Sequence, residues 1–280
     1  MIRAKKRLGQ CFLVNTSIAH KIISYSRLSR SDTVLEIGPG LGALTIPLAR
    51  SIKHVVAVEK DQNLLYQLTD KLRQAQVNNV TLLHQDILRF DFKDLKDIFH
   101  NKIIVLGNLP YNISSPLVAK LVENHHCMDR AILMFQQEFA QRLISPPGIK
   151  SYGAITVMVR YRAAAKKLFK VSSGSFYPRP KVESMVVELD FNNPWHRRPV
   201  SDKDLKQVVK PAFLHRRKTL VNALLGAAQR WKKETILQAL RQCGIEPERR
   251  AETLSPDEFI CLAQALPLTE GNRGVNLKKF

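Results

Sequence analysis

The sequence predicts an α/β fold with a mostly parallel sheet, followed by a small all-helical C-terminal domain. Two observations predict this organisation. From about residue 33, apolar β-branched runs alternate with amphipathic helical stretches, which is the order found in βαβ units. Beyond about residue 200, the helical periodicity continues without strand-like runs. We therefore expect a first domain at residues 1–195 with an N-terminal basic arm, a helical domain at 200–270 and a basic tail at 271–280.

The predicted sheet has six strands. Each is a short run rich in Val, Ile and Leu, and such runs are typical of strands that are buried on both faces of a sheet. The predicted strands are Thr33–Ile37, His54–Glu59, Val80–Gln85, Lys102–Gly107, Arg130–Phe135 and Val182–Phe191.

Helices are predicted where apolar residues recur at spacings of three and four. In the first domain these stretches lie near 43–51, 62–76, 115–124, 136–145 and 154–161. In the second they lie near 202–213, 217–229, 232–243 and 256–266. The polar, proline-containing segment 192–199 separates the two groups and is predicted to be the linker.

The charge balance points to a polyanionic partner. The 280 residues contain 44 Lys and Arg against 24 Asp and Glu, a net charge of +20. Nucleic acid is the first candidate, and an anionic membrane surface is the second. No apolar run approaches the roughly 20 residues that span a bilayer, so we expect a soluble protein. With nucleic acid as the preferred partner, no membrane partner is expected.

The four cysteines favour a reducing compartment. Cys11, Cys127, Cys243 and Cys261 show neither CxxC nor Cys/His ligand spacing. We interpret them as reduced thiols in the cytoplasm, with no metal site.

A glycine turn and two acids follow the first three main strands. Gly38 opens the sequence Gly38–Gly42, where glycines allow a ligand to approach the backbone closely. Glu59 ends the second of these strands, where a ribose diol is held in nucleotide-binding folds, and Asp86 follows the third. The glycine turn is not the strict dinucleotide fingerprint, because Ala43 replaces its last glycine. Alternatively, each acid simply caps the helix that follows it.

The sequence Asn108-Leu109-Pro110-Tyr111 follows the fourth strand and suits a site that holds a planar base. Asn108 offers an amide oxygen as acceptor, and Pro110 biases Leu109 toward extended geometry, which directs its carbonyl. Tyr111 offers a ring on which a base can stack. The alternative interpretation is a turn that starts a helix.

Three basic clusters follow the first domain. They are His196-Arg197-Arg198, His215-Arg216-Arg217-Lys218 and Arg230-Trp231-Lys232-Lys233. Any one of them could be a solvated face, but three within 40 residues favour a phosphate-binding surface.

Five motifs together resemble the bacterial small-subunit (16S) ribosomal RNA adenine dimethyltransferases, the kasugamycin-resistance type of methylase. The resemblance runs from about residue 7 to 266. It is carried by residues 7–13, the glycine turn with Leu44-Thr45, the NLPYNIS sequence at 108–114, residues 176–184 (FYPRPKVES) and Arg216-Arg217-Lys218-Thr219. The resemblance implies a Rossmann-like, class I S-adenosylmethionine-dependent methyltransferase fold. It also implies that the acid-free N-terminus is a basic arm of the folded protein, although it looks superficially like an organelle transit peptide.

The resemblance also implies the site residues. The cofactor S-adenosylmethionine would contact Cys11, Leu13, Gly38, Glu59, Asp86 and Asn108. The catalytic pocket would consist of Asn108, Leu109, Pro110 and Tyr111, with Phe176 as a second aromatic wall. The RNA would contact Arg179, Lys181, Arg216, Arg217 and Lys218. Cys11 departs from the family pattern, which usually has Asn or His there, so a side-chain hydrogen bond to the cofactor is in doubt.

The implied activity is dimethylation of the 6-amino groups of two adjacent adenosines in the 3′-terminal hairpin loop of 16S ribosomal RNA, by a monomer acting on the small subunit. A role in ribosome biogenesis would accompany it. The alternatives are a 23S RNA adenine methylase of the macrolide-resistance type, a non-catalytic assembly factor on the same fold, and, more remotely, an NAD-dependent enzyme.

Overall fold

A computed structural model describes residues 10–95, 99, 102–195, 200–226 and 231–267. The predicted basic arm up to residue 9, the linker positions 196–199 and the basic tail 271–280 lie outside the described residues, as does Arg230 of the third basic cluster.

The chain divides into two compact units. The first comprises Met1–Ala140 and Ala164–Asn192, and the second comprises Gln141–Ala163 and Asn193–Phe280. The sequence predicted an uninterrupted first domain at 1–195, so the assignment of Gln141–Ala163 to the helical unit differs from that expectation. Packing explains the difference, because the helix within this segment contacts helices of the C-terminal part.

The first unit contains a seven-stranded sheet and a two-stranded ribbon. Within the described residues the strands are β1 (Phe12–Leu13), β2 (Thr33–Ile37), β3 (His54–Glu59), β4 (Val80–His84), β5 (Ile103–Asn108), β6 (Met128–Gln136), β7 (Ala164–Val171), β8 (Phe176–Tyr177) and β9 (Ser184–Asp190). The sheet order is β4-β3-β2-β5-β6-β9-β7, and β1 pairs with β8. The five strands from β4 to β6 are parallel, whereas β9 and β7 are added antiparallel.

All six predicted strands are confirmed, with end points that shift by up to two residues. The central strands β2, β3 and β5 are buried along nearly their whole length, as expected for a parallel sheet covered on both faces. The prediction missed β7, which lies at the edge of the sheet. Its Ala and Lys residues have weak strand propensity, and lysines on an edge strand discourage further pairing.

The helices of the first unit cover the sheet, and those of the second pack on one another. The described α-helices are α1 (Thr16–Tyr25), α2 (Thr45–Ala49), α3 (Gln62–Gln74), α4 (Ser114–Glu123), α5 (Gln137–Ile144), α6 (Ala154–Arg162), α7 (Asp202–Leu214), α8 (Leu220–Gly226), α9 (Lys233–Gln242) and α10 (Pro256–Ala265). Each of the nine predicted helical stretches overlaps one of them. No described helix is long and apolar enough to cross a membrane.

The second unit has its own core, and that core contains a disulfide. Tyr152, Tyr161 and Phe259 are fully buried within it, together with aliphatic residues of α7 to α10. Cys243 is bonded to Cys261, with Cα atoms 5.8 Å apart. The expectation of four reduced thiols is therefore wrong for this pair, because the packing of α9 against α10 joins two cysteines whose spacing matches no short motif. The thiols of Cys11 and Cys127 are free.

Candidate active site

A cavity lies at the carboxyl ends of the central strands of the first unit. β3 lies on one side of β2 and β5 on the other, so the chain order reverses there, and open α/β sheets bind ligands at such a switch point. The cavity is lined by, among others, Gln10–Leu13, Glu36–Leu41, Glu59, Lys60, Asp86, Asn108, Pro110 and Asn112. All six residues predicted to contact the cofactor line this one cavity.

The glycine turn after β2 forms the floor of the cavity. Gly38 and Gly40 have φ angles of +69° and +56°, a region that side chains other than glycine rarely adopt. A Cβ atom on Gly40 would lie 3.3 Å from the ring of Phe12, so the turn packs directly under the N-terminal segment. A side chain at either position would strain the turn, and one at Gly40 would also crowd the contact with Phe12.

Glu59 is a carboxylate held in place by the backbone. Its two oxygens accept hydrogen bonds from the amides of Gly40 at 3.3 Å, Lys60 at 2.8 Å and Asp61 at 2.8 Å. Burial raises its pKa, and the three amide bonds oppose that rise. The side chain is fixed before any ligand arrives, which suits an acceptor for a diol.

Asp86 follows the end of β4, and its carboxylate is paired with an exposed lysine side chain. Its carboxylate accepts from the Lys60 ammonium at 2.7 Å and from the Leu88 amide at 3.0 Å. Burial acts to raise its pKa, but these bonds and the nearby cations outweigh burial and leave the pKa below its usual value. The group stays ionised, and a carboxylate retains lone pairs for one further donor.

Glu36, which sequence analysis did not select, also lines the cavity. It is 1% exposed, and its Oε2 atom has no hydrogen-bond partner among the described residues. Burial raises its pKa to about 8, and the neighbouring charge of Glu59 adds to the rise. Its position next to the glycine turn, at the end of a buried strand, was the signal available in the sequence.

Asn108 is the last residue of β5, and only the nitrogen of its side-chain amide has a hydrogen-bond partner among the described residues. The Nδ2 atom donates to the carbonyl oxygen of Cys11 at 3.1 Å, whereas Oδ1 accepts no hydrogen bond from the described residues. The Leu109 side chain is buried, its amide donates to Met134, and its carbonyl likewise accepts nothing from them. Two oxygen acceptors, one from a side chain and one from the backbone, are therefore available in adjacent residues.

Pro110 lines the cavity, and the short 3₁₀ helix Tyr111–Ile113 follows it. The Tyr111 hydroxyl pairs with the Ser184 hydroxyl at 3.0 Å, which anchors the ring to β9. Burial raises the pKa of Tyr111, so the phenol stays neutral. Phe176 is 4% exposed and packs in the core of the first unit. Of the five residues predicted to form the catalytic pocket, Asn108 and Pro110 line the cavity, whereas Leu109, Tyr111 and Phe176 do not. The role of Phe176 as a second aromatic wall stays a prediction.

The N-terminal segment closes one side of the cavity. Cys11 contributes its carbonyl oxygen to Asn108, and burial raises the pKa of its thiol, so the side chain is a neutral, weak donor. Gln10 and Asn112, both missed by sequence analysis, line the cavity as well, and Gln10 donates to Asp61 at 3.2 Å. Both belong to motifs that carried the family resemblance, so the signal was present.

The predicted RNA contacts lie in both units. In the first unit Arg179 and Lys181 are exposed, and Arg179 donates to the Ser173 hydroxyl at 2.9 Å. In the second unit Arg217 and Lys218 are exposed.

Arg216 differs from these four residues because it is bound within its own unit. Its guanidinium donates to the carbonyl oxygens of Lys150 at 2.6 Å and Tyr152 at 2.9 Å, and to the carboxylate of Glu252 at 2.9 Å. The geometry makes Arg216 a structural tie between loops of the second unit.

Comparisons with known proteins show the family of the chain. The family model for ribosomal RNA adenine dimethylases matches residues 1–267. The chain is 42% identical over 275 residues to a ribosomal RNA small subunit methyltransferase A from Desulforapulum autotrophicum, covering 98% of this chain and 96% of the relative. It is 40% identical to one from Clostridium botulinum, covering 91% and 90%.

Solved structures give the same result for the fold. A dimethyladenosine transferase from Plasmodium falciparum superposes with a TM-score of 0.75 at 28% identity, covering 90% of this chain and 95% of that one. A 23S rRNA methyltransferase superposes with a TM-score of 0.67 at 24% identity, covering 91% and 99%, and shows the fold alone. The fold is that of a class I S-adenosylmethionine-dependent methyltransferase with a helical C-terminal part. With its whole described length matched at these levels, the chain belongs to the ribosomal RNA adenine dimethylase family.

Proposed function

We propose that this protein transfers methyl groups from S-adenosylmethionine to the 6-amino groups of two adjacent adenosines in the 3′-terminal hairpin loop of 16S ribosomal RNA. Family membership and the names of the relatives support ribosomal RNA of the small subunit as the substrate. The protein would act as a monomer on the small subunit in the cytoplasm, where ribosomes are assembled.

The orientation of the Asn108 amide carries this proposal. Because Nδ2 donates to the Cys11 carbonyl, the Asn108 amide cannot flip freely, and its oxygen is the atom left to accept a hydrogen bond from a substrate. The Asn108 oxygen and the Leu109 carbonyl are two acceptors in succession, which matches the two hydrogens of an exocyclic amine. A hydroxyl or a carbonyl on a substrate would satisfy fewer of these contacts.

Positioning and hydrogen bonding supply the catalysis at this site. The 6-amino nitrogen of adenine is a poor nucleophile, since its lone pair is delocalised into the ring. Acceptors on both hydrogens favour the pyramidal nitrogen and free the lone pair for in-line attack. Once alkylated, the nitrogen is cationic and its proton is acidic, so solvent can remove it without a strong general base.

The base must leave its stack to reach these acceptors, and the Tyr111 ring would then support it. The hydrogen bond between the Tyr111 and Ser184 hydroxyls fixes the ring against β9, so little conformational entropy is lost when a base stacks on it. After the first transfer the monomethylated amine must turn and bind again, which requires slack in the pocket.

The residues that line the cavity fit S-adenosylmethionine. The cofactor supplies an electrophilic methyl group on a sulfonium sulfur. Glu59, oriented by three amides, would accept from the ribose hydroxyls, and Asp86 would accept from the adenine amine. The glycine turn would let the cofactor approach the backbone, and the Glu59 carboxylate favours a ligand that carries a positive charge. Arg179, Lys181, Arg217 and Lys218 would contact RNA phosphates.

The test is a methylation assay with labelled cofactor and unmethylated small subunits, followed by mass mapping of the RNA. We expect dimethylation of the two adjacent adenosines near the 3′ end of 16S RNA. Large subunits serve as the parallel substrate. Label in 23S RNA alone would replace this proposal with the macrolide-resistance type of activity, and no label in either RNA would favour a non-catalytic assembly factor.

A further inference from the structure

The ribbon formed by β1 and β8 has two faces of opposite character. Phe12 pairs with Tyr177 and Leu13 pairs with Phe176 in antiparallel register. Side chains that are directly opposite in such a pair share a face, and successive residues alternate between faces. Leu13 and Phe176 therefore point together into the core of the first unit, where both are buried. Phe12 and Tyr177 occupy the other face.

Both residues of β1 line the active-site cavity, Leu13 from the core face and Phe12 from this second face. The Phe12 ring packs over the glycine turn, and Phe12 is part of the cavity lining. The preceding residue, Cys11, holds Asn108 through its carbonyl oxygen. Tyr177 is the cross-strand neighbour of Phe12, and paired Cα atoms lie about 4.5–5.5 Å apart. Tyr177 does not itself line the cavity, but its pairing with Phe12 places it next to a residue that does, at the edge of the cavity.

Tyr177 is an exposed ring that the fold does not use. It is 58% exposed, and among the described residues its hydroxyl has no hydrogen-bond partner and its ring has no aromatic or cationic partner. Val14, which is 56% exposed, extends this apolar rim, because its amide bonds to the Ser175 carbonyl at 2.9 Å and so continues the pairing of the ribbon. A large aromatic ring left in solvent beside a binding site is a candidate contact for a ligand.

The two cations that follow Tyr177 favour nucleic acid as the ligand of its ring. Arg179 and Lys181 follow it by two and four residues, and both are exposed. The Arg179 guanidinium is held by Ser173, close to the start of the same strand. An aromatic ring flanked by cations is the combination that binds single-stranded nucleic acid, with bases stacked on the ring and phosphates on the cations.

We propose that Tyr177 stacks the unpaired base adjacent to the adenosine that occupies the active site. This inference rests on the proposed function, because a hairpin-loop substrate with two adjacent target bases presents one base to the pocket while its neighbour lies outside. The ring at the rim holds that neighbour, and Arg179 and Lys181 hold the connecting phosphates. Tyr177 is thus a positioning residue for RNA and does not contact the cofactor.

The experiment measures binding of a hairpin RNA containing the 3′-terminal loop of 16S RNA to the full chain and its Tyr177→Ala and Tyr177→Phe variants. Loss of one stacked base predicts that Tyr177→Ala weakens binding by about 5- to 150-fold. Tyr177→Phe keeps the ring and should bind as the wild type does. Tyr66→Ala, which removes another exposed tyrosine, 64% exposed and in α3, is the matched control and should change nothing.

A second arm removes the base and leaves the protein unchanged. Two RNAs are made, one with an abasic nucleotide on the 5′ side of the target adenosine and one with it on the 3′ side. For one of these two positions, we expect the wild-type protein to bind the abasic RNA as weakly as Tyr177→Ala binds intact RNA. Combined with Tyr177→Ala, that abasic RNA should show no further loss. Additive losses at both positions, or full affinity of Tyr177→Ala for intact RNA, would overturn the proposal. Methylation of the intact RNA by the wild-type protein tests the proposed function separately, because it does not depend on how Tyr177→Ala or the abasic RNAs bind.

Discussion

Replacing Asn108 with alanine tests the central feature of the site. The substitution removes the Oδ1 acceptor together with the Nδ2 bond to the Cys11 carbonyl. Deleting one preorganised polar contact to a reacting group lowers kcat by about 100- to 1000-fold in other enzymes, and we expect a loss of that size. The lost bond to Cys11 is a neutral one and should cost about 1 kcal/mol in the free energy of unfolding.

Three measurements separate these effects. Transfer of labelled methyl groups to unmethylated small subunits gives kcat, calorimetry gives the affinity for S-adenosylmethionine, and denaturant unfolding gives stability. We expect cofactor affinity to fall by less than about tenfold, because only one neutral hydrogen bond near the cofactor is disturbed. The control is Asn124→Ala, since Asn124 also donates one Nδ2 bond to a carbonyl, that of Lys120 at 2.8 Å, but lies outside the cavity lining.

Normal turnover in Asn108→Ala would refute the role of its amide oxygen. A loss of turnover that merely parallels the loss of cofactor affinity would do the same, because it would place the side chain in binding and not in the transfer step. Asn124→Ala should retain full activity with a similar change in stability.

Three further predictions concern charge and covalent structure. The folded protein keeps the Glu36 proton up to about pH 8, whereas the unfolded chain releases it near 4.5, so the free energy of unfolding should fall as pH rises between these values; Glu36→Gln should flatten that slope in denaturant titrations at several pH values. Arg216→Ala should lower the melting temperature because it breaks three hydrogen bonds. Joint neutralisation of Arg217 and Lys218 should leave the melting temperature unchanged and reduce by about two the slope of log K for RNA binding against log salt concentration. An unchanged slope would show that these two residues do not contact RNA phosphates. Cys261→Ser should lower the free energy of unfolding by about 3 kcal/mol under oxidising conditions, and equal stability of the two proteins there would show that the disulfide contributes nothing.

Much of the fold and most of the candidate site were predictable from the sequence. The central strands are continuous apolar runs, and polar residues that follow parallel strands meet at one edge of a sheet. Gly38, Glu59, Asp86 and Asn108 could therefore be selected before their positions were known. The two-residue strands β1 and β8 were not predictable, because two residues carry no periodicity and their pairing joins segments more than 160 residues apart.

Side-chain partners lie beyond what a sequence pattern contains. Arg216 belongs to a basic cluster, yet its guanidinium is bound to two carbonyls and a carboxylate within its own unit. Phe176 and Tyr177 are adjacent aromatic residues, yet one is in the core and the other in solvent. Cys243 and Cys261 looked like separate thiols and are bonded. In each case the outcome depends on contacts between residues that are distant in the chain or on the face that a short strand presents.

The sequence by itself determined six of the nine described strands, the helices that follow them, the glycine turn, the acids and the Asn-Leu-Pro-Tyr motif, and with these the family. Local periodicity and residue type suffice for that, because they dictate which segments are buried and where parallel strands end. Only the tertiary structure decided that the Asn108 amide turns its nitrogen to Cys11 and leaves its oxygen free, that Glu36 joins the cavity as a buried acid, and that Tyr177 pairs with the cavity-lining residue Phe12. These features arise because folding brings the N-terminal segment against the ends of β2 and β5 and pairs that segment with β8. The contact between Cys11 and Asn108 then fixes the direction of the amide.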